Sequence, residues 1–420
     1  MKAKAVRLYG KKDLRLEEFD LPPIGEDEIL AQVISDSICM STYKAAIQGT
    51  EHKRVPADIA LNPIITGHEF AGIILEVGKK WQSRFRKGQK FSIQPALNVL
   101  GTLKAPGYSF RYIGGNATHV IIPPVFMETD NLLVYEGDAF FPASLSEPMS
   151  CIIGAFHSAY HVPPGTYEHK MDIREGGIMA IIGGAGPMGL GAIDYALHRK
   201  RRPRKLVVTD IDEKRLSRAS SLFTADHAAE CGIELHYVNT SGMNEPQTYL
   251  RELTGGSGYD DVFIFTPVRE AVEQGNAILG SDGCLNFFAG PADKNFLAEV
   301  NFYNIHYSFT HIMGTSGGNT SDMKECLDMM SQALLNPAVM ITHVGGLDAA
   351  ADTTLNLPFI PGGKKLIYTN ISMPLVALED LAEKSRHDIF YEEMYRIVSK
   401  NNNIWSVEAE KYLLENAKPI

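Results

Sequence analysis

The sequence predicts an α/β fold that combines a β-rich domain with a doubly wound parallel sheet crossed by helices. Its 420 residues exceed the length at which one hydrophobic core usually keeps growing, so two domains are expected. Residues 1 to about 155 contain many short β-like segments separated by Gly and Pro. From about 156 to 319, apolar strands alternate with helical stretches, which is typical of a parallel sheet with crossover helices.

The first domain is predicted to cover residues 1–155. Its N-terminus begins with an alternating strand pattern, and the turn Pro22–Gly25 precedes an apolar strand over Glu28–Ile34. A strand is expected to end at Ile38.

The second domain is predicted to cover residues 156–319. Its first strand is expected at Ile178–Ile182, followed by a helix over Pro187–His198 and a strand over Lys205–Thr209. Later strands are predicted at Val262–Phe265, Cys284–Phe288 and Ile312–Gly314.

Residues 320–420 are expected to return to the first domain and to add a C-terminal helical extension. A helix is predicted near Met323 to Leu335 and a β-segment at Lys364–Tyr368. From 374 onward, apolar residues that include Trp405 recur at helical intervals. This pattern favours amphipathic packing helices over a separate regulatory module.

Composition excludes several classes of function. The formal net charge of -10 argues against a nucleic-acid surface. The one basic run, His198–Lys205, is interpreted as a solvated helix end, with oligomer contacts or a second nucleotide phosphate as alternatives. No apolar stretch is long enough to cross a membrane, and the N-terminus does not resemble a signal peptide. Five cysteines without paired spacing favour a reducing, cytoplasmic compartment.

A glycine-rich loop follows the strand Ile178–Ile182, with the sequence Gly184-Ala185-Gly186-Pro187-Met188-Gly189. In a G-x-G-x-x-G loop the first glycine permits a tight turn, the second lets the backbone approach a pyrophosphate, and the third lets helix and strand pack closely. The N-terminus of the following helix offers N–H donors to the anion. We therefore predict a Rossmann domain that binds a dinucleotide; the alternative is a set of turn glycines without a ligand.

Asp210 ends the next strand, at the spacing expected for the carboxylate that binds the adenosine ribose hydroxyls. Its charge would repel a 2'-phosphate, which favours NAD(H) over NADP(H). Arg215, and less readily Lys214, could fold over the adenosine end and soften that preference. The alternative role for Asp210 is to cap the helix that begins near Glu213.

Four residues offer the sulfur, imidazole and carboxylate ligands of an open zinc site: Cys39, His68, Glu69 and Glu147. Cys39 alone would be interpreted as a small buried hydrophobe. His68 and Glu69 cannot face the same way on a regular strand, so both can bind one ion only if the chain is irregular after Gly67. A buried acid such as Glu147 needs a partner, and we expect zinc to be that partner, directly or through a water molecule.

Residues 67–78, GHEFAGIILEVG, resemble the zinc signature of the medium-chain dehydrogenase/reductase family. The shared features are Gly-His-Glu, a glycine three residues after the Glu, and another glycine six residues further on. Trp81 departs from the signature, because a small or β-branched residue is usual there. The resemblance covers most of the chain and implies a GroES-like catalytic domain with a Rossmann cofactor domain inserted before its C-terminal part.

By this resemblance, Cys39, His68 and Glu69 are the expected ligands of a catalytic zinc, and Glu147 matches a fourth acid that is sometimes water-mediated. Many relatives also carry a four-cysteine structural-zinc lobe. Residues 89–122 contain no Cys, so one zinc per chain is expected.

The residues after Cys39 also depart from the family pattern of Gly-Ser/Thr-Asp. Ser41 keeps the hydroxyl of the first proton-relay group, but Thr42 cannot supply the carboxylate that orients a zinc-bound imidazole. Lys44 stands at the position of the relay histidine. The resemblance therefore makes Ser41, Lys44 and Glu69 the candidate catalytic residues.

One branch of the family is especially similar in five segments: GHEFAGIILEVGKKW, IQPALN, APGYS, LSEPMSCIIGAFHSAYH and GGAGPMGLGAIDYALH. That branch interconverts L-sorbose 1-phosphate and D-glucitol 6-phosphate. The resemblance implies a zinc-dependent oxidoreductase that moves hydride between a nicotinamide and the carbonyl carbon of a ketose phosphate. The branch uses NADPH whereas Asp210 favours NAD(H), so both cofactors stay open. The family also suggests a homodimer or homotetramer.

A phosphorylated substrate requires fixed cations near the reacting carbon. Lys44, Lys53 and Arg54 follow Cys39 closely enough to line the entrance of the site, although they could equally be solvent-facing loop charges. Two other functions stay open: a free polyol or amino-alcohol dehydrogenase of the same family, and a nucleotide-binding protein without turnover.

Overall fold

A computed structural model of the chain describes residues 1–97, 101–291 and 293–420. The chain forms two compact units, one from residues 1–148 and 319–420 and the other from residues 149–318. The sequence placed these divisions at about 155 and 319. Asn98, the last residue of the IQPALN segment, lies outside the described residues.

The N-terminal segment of the first unit is mostly β-structure. Its strands are β1 (Lys2–Gly10), β2 (Asp13–Asp20), β3 (Ile29–Ile38), β4 (Ile64–Ile65), β5 (Phe70–Val77), β6 (Lys90–Ile93), β7 (His119–Ile122) and β8 (Leu132–Tyr135). Its helices are α1 (Met40–Gln48), α2 (Pro124–Glu128) and α3 (Phe141–Ser158), the last of which carries the chain into the second unit.

The second unit alternates strands and helices. Its strands are β9 (Tyr160–His161), β10 (Lys170–Met171), β11 (Ile178–Ile182), β12 (Lys205–Asp210), β13 (Glu234–Asn239), β14 (Tyr259–Ile264), β15 (Leu279–Phe287) and β16 (His311–Gly314). Its helices are α4 (Pro187–His198), α5 (Glu213–Leu222), α6 (Ala225–Glu230), α7 (Pro246–Glu252), α8 (Arg269–Ile278) and α9 (Phe302–Tyr307).

The C-terminal segment returns to the first unit. Its strands are β17 (Ile341–Gly346), β18 (Lys364–Tyr368) and β19 (Val376–Ala377), and its helices are α10 (Thr320–Ser331), α11 (Ala350–Asn356), α12 (Leu381–Lys384), α13 (Ile389–Lys400) and α14 (Val407–Asn416). Short 3-10 helices lie at Gly49–Glu51, Lys79–Trp81, Pro337–Met340, Leu347–Ala349, Leu357–Phe359 and Leu378–Asp380. Within the described ranges, no helix is both long and apolar enough to cross a bilayer.

The sheet of the second unit is parallel, and among the described residues its strand order is β13-β12-β11-β14-β15-β16. This is the strand order of a Rossmann fold, in which the chain reverses direction beside the first strand. Branched aliphatic residues such as Ile178, Val207, Val262 and Leu285 are buried in its core. Burial on both faces explains why these strands are nearly continuous apolar runs.

The main sheet of the first unit runs in the order β19-β17-β18-β3-β5-β6-β8 in the described part of the chain, with β7 also paired to β3. Strand β18 pairs antiparallel with β3, so that Lys365 lies opposite Ile38. The C-terminal segment therefore extends this sheet through β18, which pairs with the strand that ends just before Cys39.

The C-terminal extension packs through a buried polar cluster rather than through apolar contacts alone. The Trp405 side chain is buried, and its indole nitrogen donates to the Tyr368 hydroxyl at 2.7 Å. That hydroxyl donates to Glu410 at 2.8 Å, and Glu410 also accepts from the amides of Phe140 and Phe141. The extension is thus joined to β18 and to the start of α3, which agrees with the packing role expected from its sequence.

The unusual Trp81 is also a packing residue. It is buried, its indole nitrogen donates to the Asp27 carbonyl at 2.7 Å, and the cations of Lys80 and Arg84 lie over its ring. This tryptophan therefore fixes a turn of the first unit.

The basic run differs in part from its interpretation as a solvated helix end. Arg199 is buried, donates to the Asp172 carboxylate at 2.5 Å, and lies 4.8 Å from the ring centre of Tyr195. A solvated role is therefore wrong for Arg199, because an internal carboxylate and an aromatic face take up its guanidinium group.

Candidate functional site

The segment that carries His68 and Glu69 is irregular, because it lies between β4 and β5 and belongs to neither. Gly67 has a φ of +88°. A Cβ atom there would lie 2.5 Å from an oxygen of Asp36 and 2.6 Å from the side-chain nitrogen of Asn116. Only glycine fits this bend, and the bend lets two consecutive side chains approach one point.

Cys39, His68 and Glu69 come together in the first unit. Cys39 follows β3 directly and is the N-cap residue of α1. One ligand atom from each of the three residues lies within 4.8 Å of the other two. Burial lowers the pKa of His68, so its imidazole is neutral, as a metal ligand must be. The sulfur, nitrogen and oxygen donors fit a zinc ion.

Two hydroxyl groups orient the His68 ring. The Thr42 hydroxyl lies 3.1 Å from Nδ1, and the Tyr108 hydroxyl lies 3.1 Å from the same atom. A hydroxyl that accepts the Nδ1 proton leaves the Nε2 lone pair available for a metal. Thr42 lacks the carboxylate of the family pattern, yet it contacts the imidazole all the same. Tyr108 was not predicted as a site residue, although it belongs to the APGYS segment.

Lys364, at the start of β18, forms a buried ion pair with Glu69. Its Nζ lies 2.6 Å and 2.7 Å from the two carboxylate oxygens, and both side chains are nearly inaccessible to solvent. Burial raises the pKa of Glu69, but the charges of Lys364 and His68, together with hydrogen bonds to the carboxylate, outweigh burial and keep the pKa below its usual value. This ion pair was not predicted from the sequence, and it fixes the carboxylate beside Cys39 and His68.

A second acid holds the backbone of the same segment. Asp36, on β3, accepts a hydrogen bond from the Glu69 amide at 3.1 Å and is fully buried. Burial, together with the charge of Glu69, raises the pKa of Asp36 well above its usual value. The raised pKa favours the neutral form of Asp36, which limits the negative charge beside Glu69.

The candidate relay residues lie on helix α1. The Ser41 hydroxyl is 3.0 Å from the Cys39 sulfur, and Lys44 follows three residues later on the same helix, nearly one turn along. Ser41 is therefore beside the metal-ligand group, as its assignment requires.

Glu147 lies in helix α3 of the first unit and, among the described residues, is not part of the three-ligand group. Burial and the charge of Glu69 raise its pKa to about 7, while His68 acts in the opposite direction. The carboxyl of Glu147 is thus close enough to the three ligand residues for their charges to change its pKa. Its role as a fourth ligand stays a prediction.

The three candidate phosphate-binding cations are all close enough to one histidine to lower its pKa. Burial lowers the pKa of His52, and the charges of Arg54, Lys53 and Lys44 lower it further. Arg54 also lies 5.4 Å from the ring centre of Tyr108, the tyrosine that contacts His68. The positive charge of Arg54 is therefore separated from the ligand His68 only by the Tyr108 side chain.

The glycine-rich loop forms as predicted between β11 and α4, and helix α4 has the predicted bounds Pro187–His198. A Cβ at Gly189 would lie 2.1 Å from the carbonyl oxygen of Gly184, so the third glycine is required for helix and strand to pack. A Cβ at Gly186 would meet nothing within 4 Å. The predicted pyrophosphate site beside the helix N-terminus is therefore open.

A cavity of about 780 Å³ lies beside this loop within the second unit. Gly186, Pro187, Asp210 and Arg215 are among its lining residues. Asp210 accepts hydrogen bonds from the amides of Ala185, Ile211 and Asp212, so its carboxylate joins the glycine-rich loop to the end of β12. The alternative role of Asp210 as a helix cap is wrong, because Asp212 caps α5 by accepting from the Arg215 amide. Because it adjoins the glycine-rich loop and Asp210, this cavity is the candidate site for the adenosine half of a dinucleotide.

Comparisons with known proteins identify the family to which both parts of the chain belong. Residues 25–127 match the family model described as alcohol dehydrogenase GroES-like domain, and residues 187–332 match the one described as zinc-binding dehydrogenase. The chain is 53% identical over 411 residues to a mannitol-1-phosphate 5-dehydrogenase of Aliivibrio fischeri, covering 98% of this chain and 97% of the relative. It is 49% identical over 416 residues to an L-sorbose 1-phosphate reductase of Klebsiella pneumoniae, covering 99% and 98%.

The fold also matches a solved zinc-binding dehydrogenase of Sinorhizobium meliloti bound to NADP. The TM-score is 0.70 at 20% sequence identity, over 88% of this chain and 99% of that one. Fold, ligand group and glycine-rich loop together define a zinc-dependent dehydrogenase that acts on alcohol groups with a nicotinamide cofactor. The chain belongs to the zinc-dependent medium-chain dehydrogenase/reductase family. The predicted family, fold class and enzyme class are therefore confirmed.

Proposed function

We propose that this enzyme interconverts a ketose phosphate and a polyol phosphate, with L-sorbose 1-phosphate and D-glucitol 6-phosphate as its substrate pair. The observation that carries the proposal is that Arg54 lies over the ring of Tyr108, the tyrosine that contacts His68 in the group of Cys39, His68 and Glu69. The charges of Lys44 and Lys53 act on the same histidine, His52, as that of Arg54. Catalytic dehydrogenation needs the ligand group, and a phosphorylated substrate needs the cations. Both relatives named above have phosphorylated sugars or polyols in their names.

When bound, zinc polarises the carbonyl or hydroxyl oxygen of the substrate and the nicotinamide carries the hydride. Cys39, His68 and Glu69 would hold the zinc, with Glu147 nearby. In the oxidation direction, the Ser41 oxygen would accept the proton of the substrate hydroxyl and release it outward past Lys44. Thr42 and Tyr108 would keep the His68 ring fixed throughout.

Substitution of Arg54 tests whether this cation binds the phosphate of the substrate. We expect Arg54→Ala to lower kcat/KM for L-sorbose 1-phosphate about tenfold or more, because a hydrogen bond between charged groups contributes about 1.5–3 kcal/mol. Turnover of unphosphorylated L-sorbose should change little. Steady-state kinetics on both sugars measure the ratio.

Arg111→Ala is the matched control, because Arg111 also lies over a tyrosine ring of the first unit, 5.3 Å from the centre of Tyr112. It should leave both rates unchanged. An unaltered preference for the phosphorylated sugar in Arg54→Ala would remove Arg54 from the phosphate site.

For the cofactor, we propose that NAD(H) is preferred because Asp210 lies at the adenosine end of the cavity, and that Arg215 supports a residual use of NADP(H). Arg215 lines that cavity, and its Nε lies 3.6 Å from Asp212. We expect Arg215→Ala to lower kcat/KM for NADPH about tenfold while changing the NADH value less than about twofold. Initial rates with each cofactor measure the effect.

Lys214→Ala is the control for this prediction, since it removes the same charge from the neighbouring position on α5. It should not alter the cofactor ratio. Equal losses with NADH and NADPH in Arg215→Ala would show that Arg215 does not recognise the 2'-phosphate.

A second substrate pair is favoured by the mannitol-1-phosphate 5-dehydrogenase relative, which acts on a different polyol phosphate. The two proposals share every residue named above and differ only in the sugar. A panel of sorbose, mannitol and glucitol phosphates, with the free polyols and amino alcohols beside them, discriminates between them. Binding of zinc and nucleotide without turnover of any member would instead support a non-catalytic protein.

A further inference from the structure

A second group of metal-ligand side chains lies in the nucleotide-binding unit. It consists of His198, the last residue of α4, His227 in α6, and Cys231, which directly follows α6. The three ligand atoms lie within 4.8 Å of one another. The two imidazole Nε2 atoms are 3.2 Å apart. None of these residues belongs to the Cys39 group, which lies in the other unit.

The distance between the two imidazole nitrogens suits a tetrahedral metal. With zinc–nitrogen bonds of about 2.05 Å, the nitrogens on one edge of a tetrahedron lie about 3.3 Å apart. His227 and Cys231 are four residues apart, so at the end of α6 their side chains lie on the same face. Thiolate and imidazole ligands select zinc or another borderline metal over magnesium or calcium.

His198 is already oriented as metal-binding histidines are. Its Nδ1 lies 2.9 Å from the carboxylate of Asp194 and 2.9 Å from the backbone oxygen of the same residue. An Nδ1 proton donated to these oxygens leaves the Nε2 lone pair directed at His227. A carboxylate behind a histidine in this way is the usual support of a zinc ligand, and Asp194 is buried.

We propose that His198, His227 and Cys231 bind a zinc ion, with a water molecule in the fourth position, and that this ion joins the end of α4 to α6. The site is distinct from the predicted catalytic zinc and would make two zinc ions per chain, where the sequence suggested one. The side chain of His227 is 45% exposed, so the ion is reached from solvent. Its role would be structural, since α4 is the helix that begins at the glycine-rich loop.

Metal binding by the full-length chain, prepared without a histidine tag, tests the proposal. In Cys39→Ser, which lacks the sulfur ligand of the catalytic site, we expect one equivalent of Co²⁺ to bind and to give a thiolate-to-cobalt absorption band. His227→Ala in that background should abolish stoichiometric binding, and Cys231→Ser should abolish the band. Zinc should raise the thermal midpoint of Cys39→Ser but not that of the double variants.

His236→Ala is the matched control, because it removes another imidazole of the same unit that is paired with an acid, Glu234, rather than with a second histidine. It should keep both the band and the stoichiometry. His227→Ala replaces an exposed side chain, so it reports on metal binding even if Cys231→Ser folds poorly. A Cys39→Ser protein that binds no cobalt and no zinc in competition with a weak chelator would overturn the proposal and show that the two histidines only hydrogen-bond to each other.

Discussion

Replacing Cys39 with serine should remove one zinc ion per chain and lower kcat/KM more than about 100-fold, because the loss of even a supporting partner of a metal ligand costs 10–100-fold. Serine keeps the size of the side chain but not the thiolate that zinc prefers. His68 and Glu69 would remain in place, since Gly67 and the Lys364 ion pair hold their segment. Metal analysis and steady-state turnover measure the two effects.

Cys151→Ser is the control for Cys39→Ser, because Cys151 is also a half-buried cysteine and lies outside the ligand group. It should retain both the metal and the turnover. If Cys39→Ser kept full metal content and full activity, the assignment of Cys39 as a zinc ligand would be wrong. If the Cys39→Ser variant lost activity but kept its zinc, Cys39 would contribute to the reaction in some way other than zinc binding.

The nucleotide-binding fold could be predicted closely because its signals are local. Helix α4 has the predicted bounds, and β11 coincides with the predicted strand Ile178–Ile182. A buried parallel strand is a continuous apolar run, and the glycine-rich loop that follows it marks the start of a helix. These features need no knowledge of distant residues.

The ligand group was predictable for a different reason. His68 and Glu69 are adjacent in sequence, and the preceding Gly67 indicates a bend in the backbone rather than a regular strand. Cys39 could be joined to them only through the family resemblance, because 29 positions of sequence separate Cys39 from His68. The structure brings the three together through β3, which ends one residue before Cys39.

The contacts that support the group could not be predicted, because they arise from strand pairing across the whole chain. Lys364 is 295 residues from Glu69 and reaches it only because β18 pairs with β3. In sequence, Lys364 and Lys365 look like the exposed start of a strand, whereas both are buried. A lysine pair at the start of an otherwise apolar strand was the only available signal.

The second metal-ligand group was not predicted, because the residues around His198 in sequence suggested another role. His198 opens a basic run, which favoured a solvated helix end, and His227 with Cys231 lies about 30 residues further on. Helical spacing between His227 and Cys231 was visible in the sequence. The contact with His198 follows only from the packing of α6 beside the end of α4, which no local pattern predicts.

Lys364→Met should lower the free energy of unfolding of the first unit by roughly 3–5 kcal/mol in metal-free protein. Methionine fills a similar volume but leaves the Glu69 carboxylate buried without a counter-charge. Urea unfolding followed by tryptophan fluorescence measures the change. Both tryptophans of the chain, Trp81 and Trp405, lie in the first unit, so the signal reports on that unit.

The same substitution should cost less when Glu69 is neutral. In the double variant Glu69→Gln/Lys364→Met neither member of the pair carries a charge, so we expect most of the lost stability to return. Lys365→Met is the control, because the ammonium of Lys365 binds the backbone carbonyls of Ile360, Pro361 and Gly363 instead of Glu69. Glu69→Gln should not rescue it. A double variant as unstable as Lys364→Met alone would mean that Lys364 stabilises the unit by packing rather than by its charge. Zinc should reduce the effect of Lys364→Met, because a bound cation beside Glu69 replaces the missing positive charge.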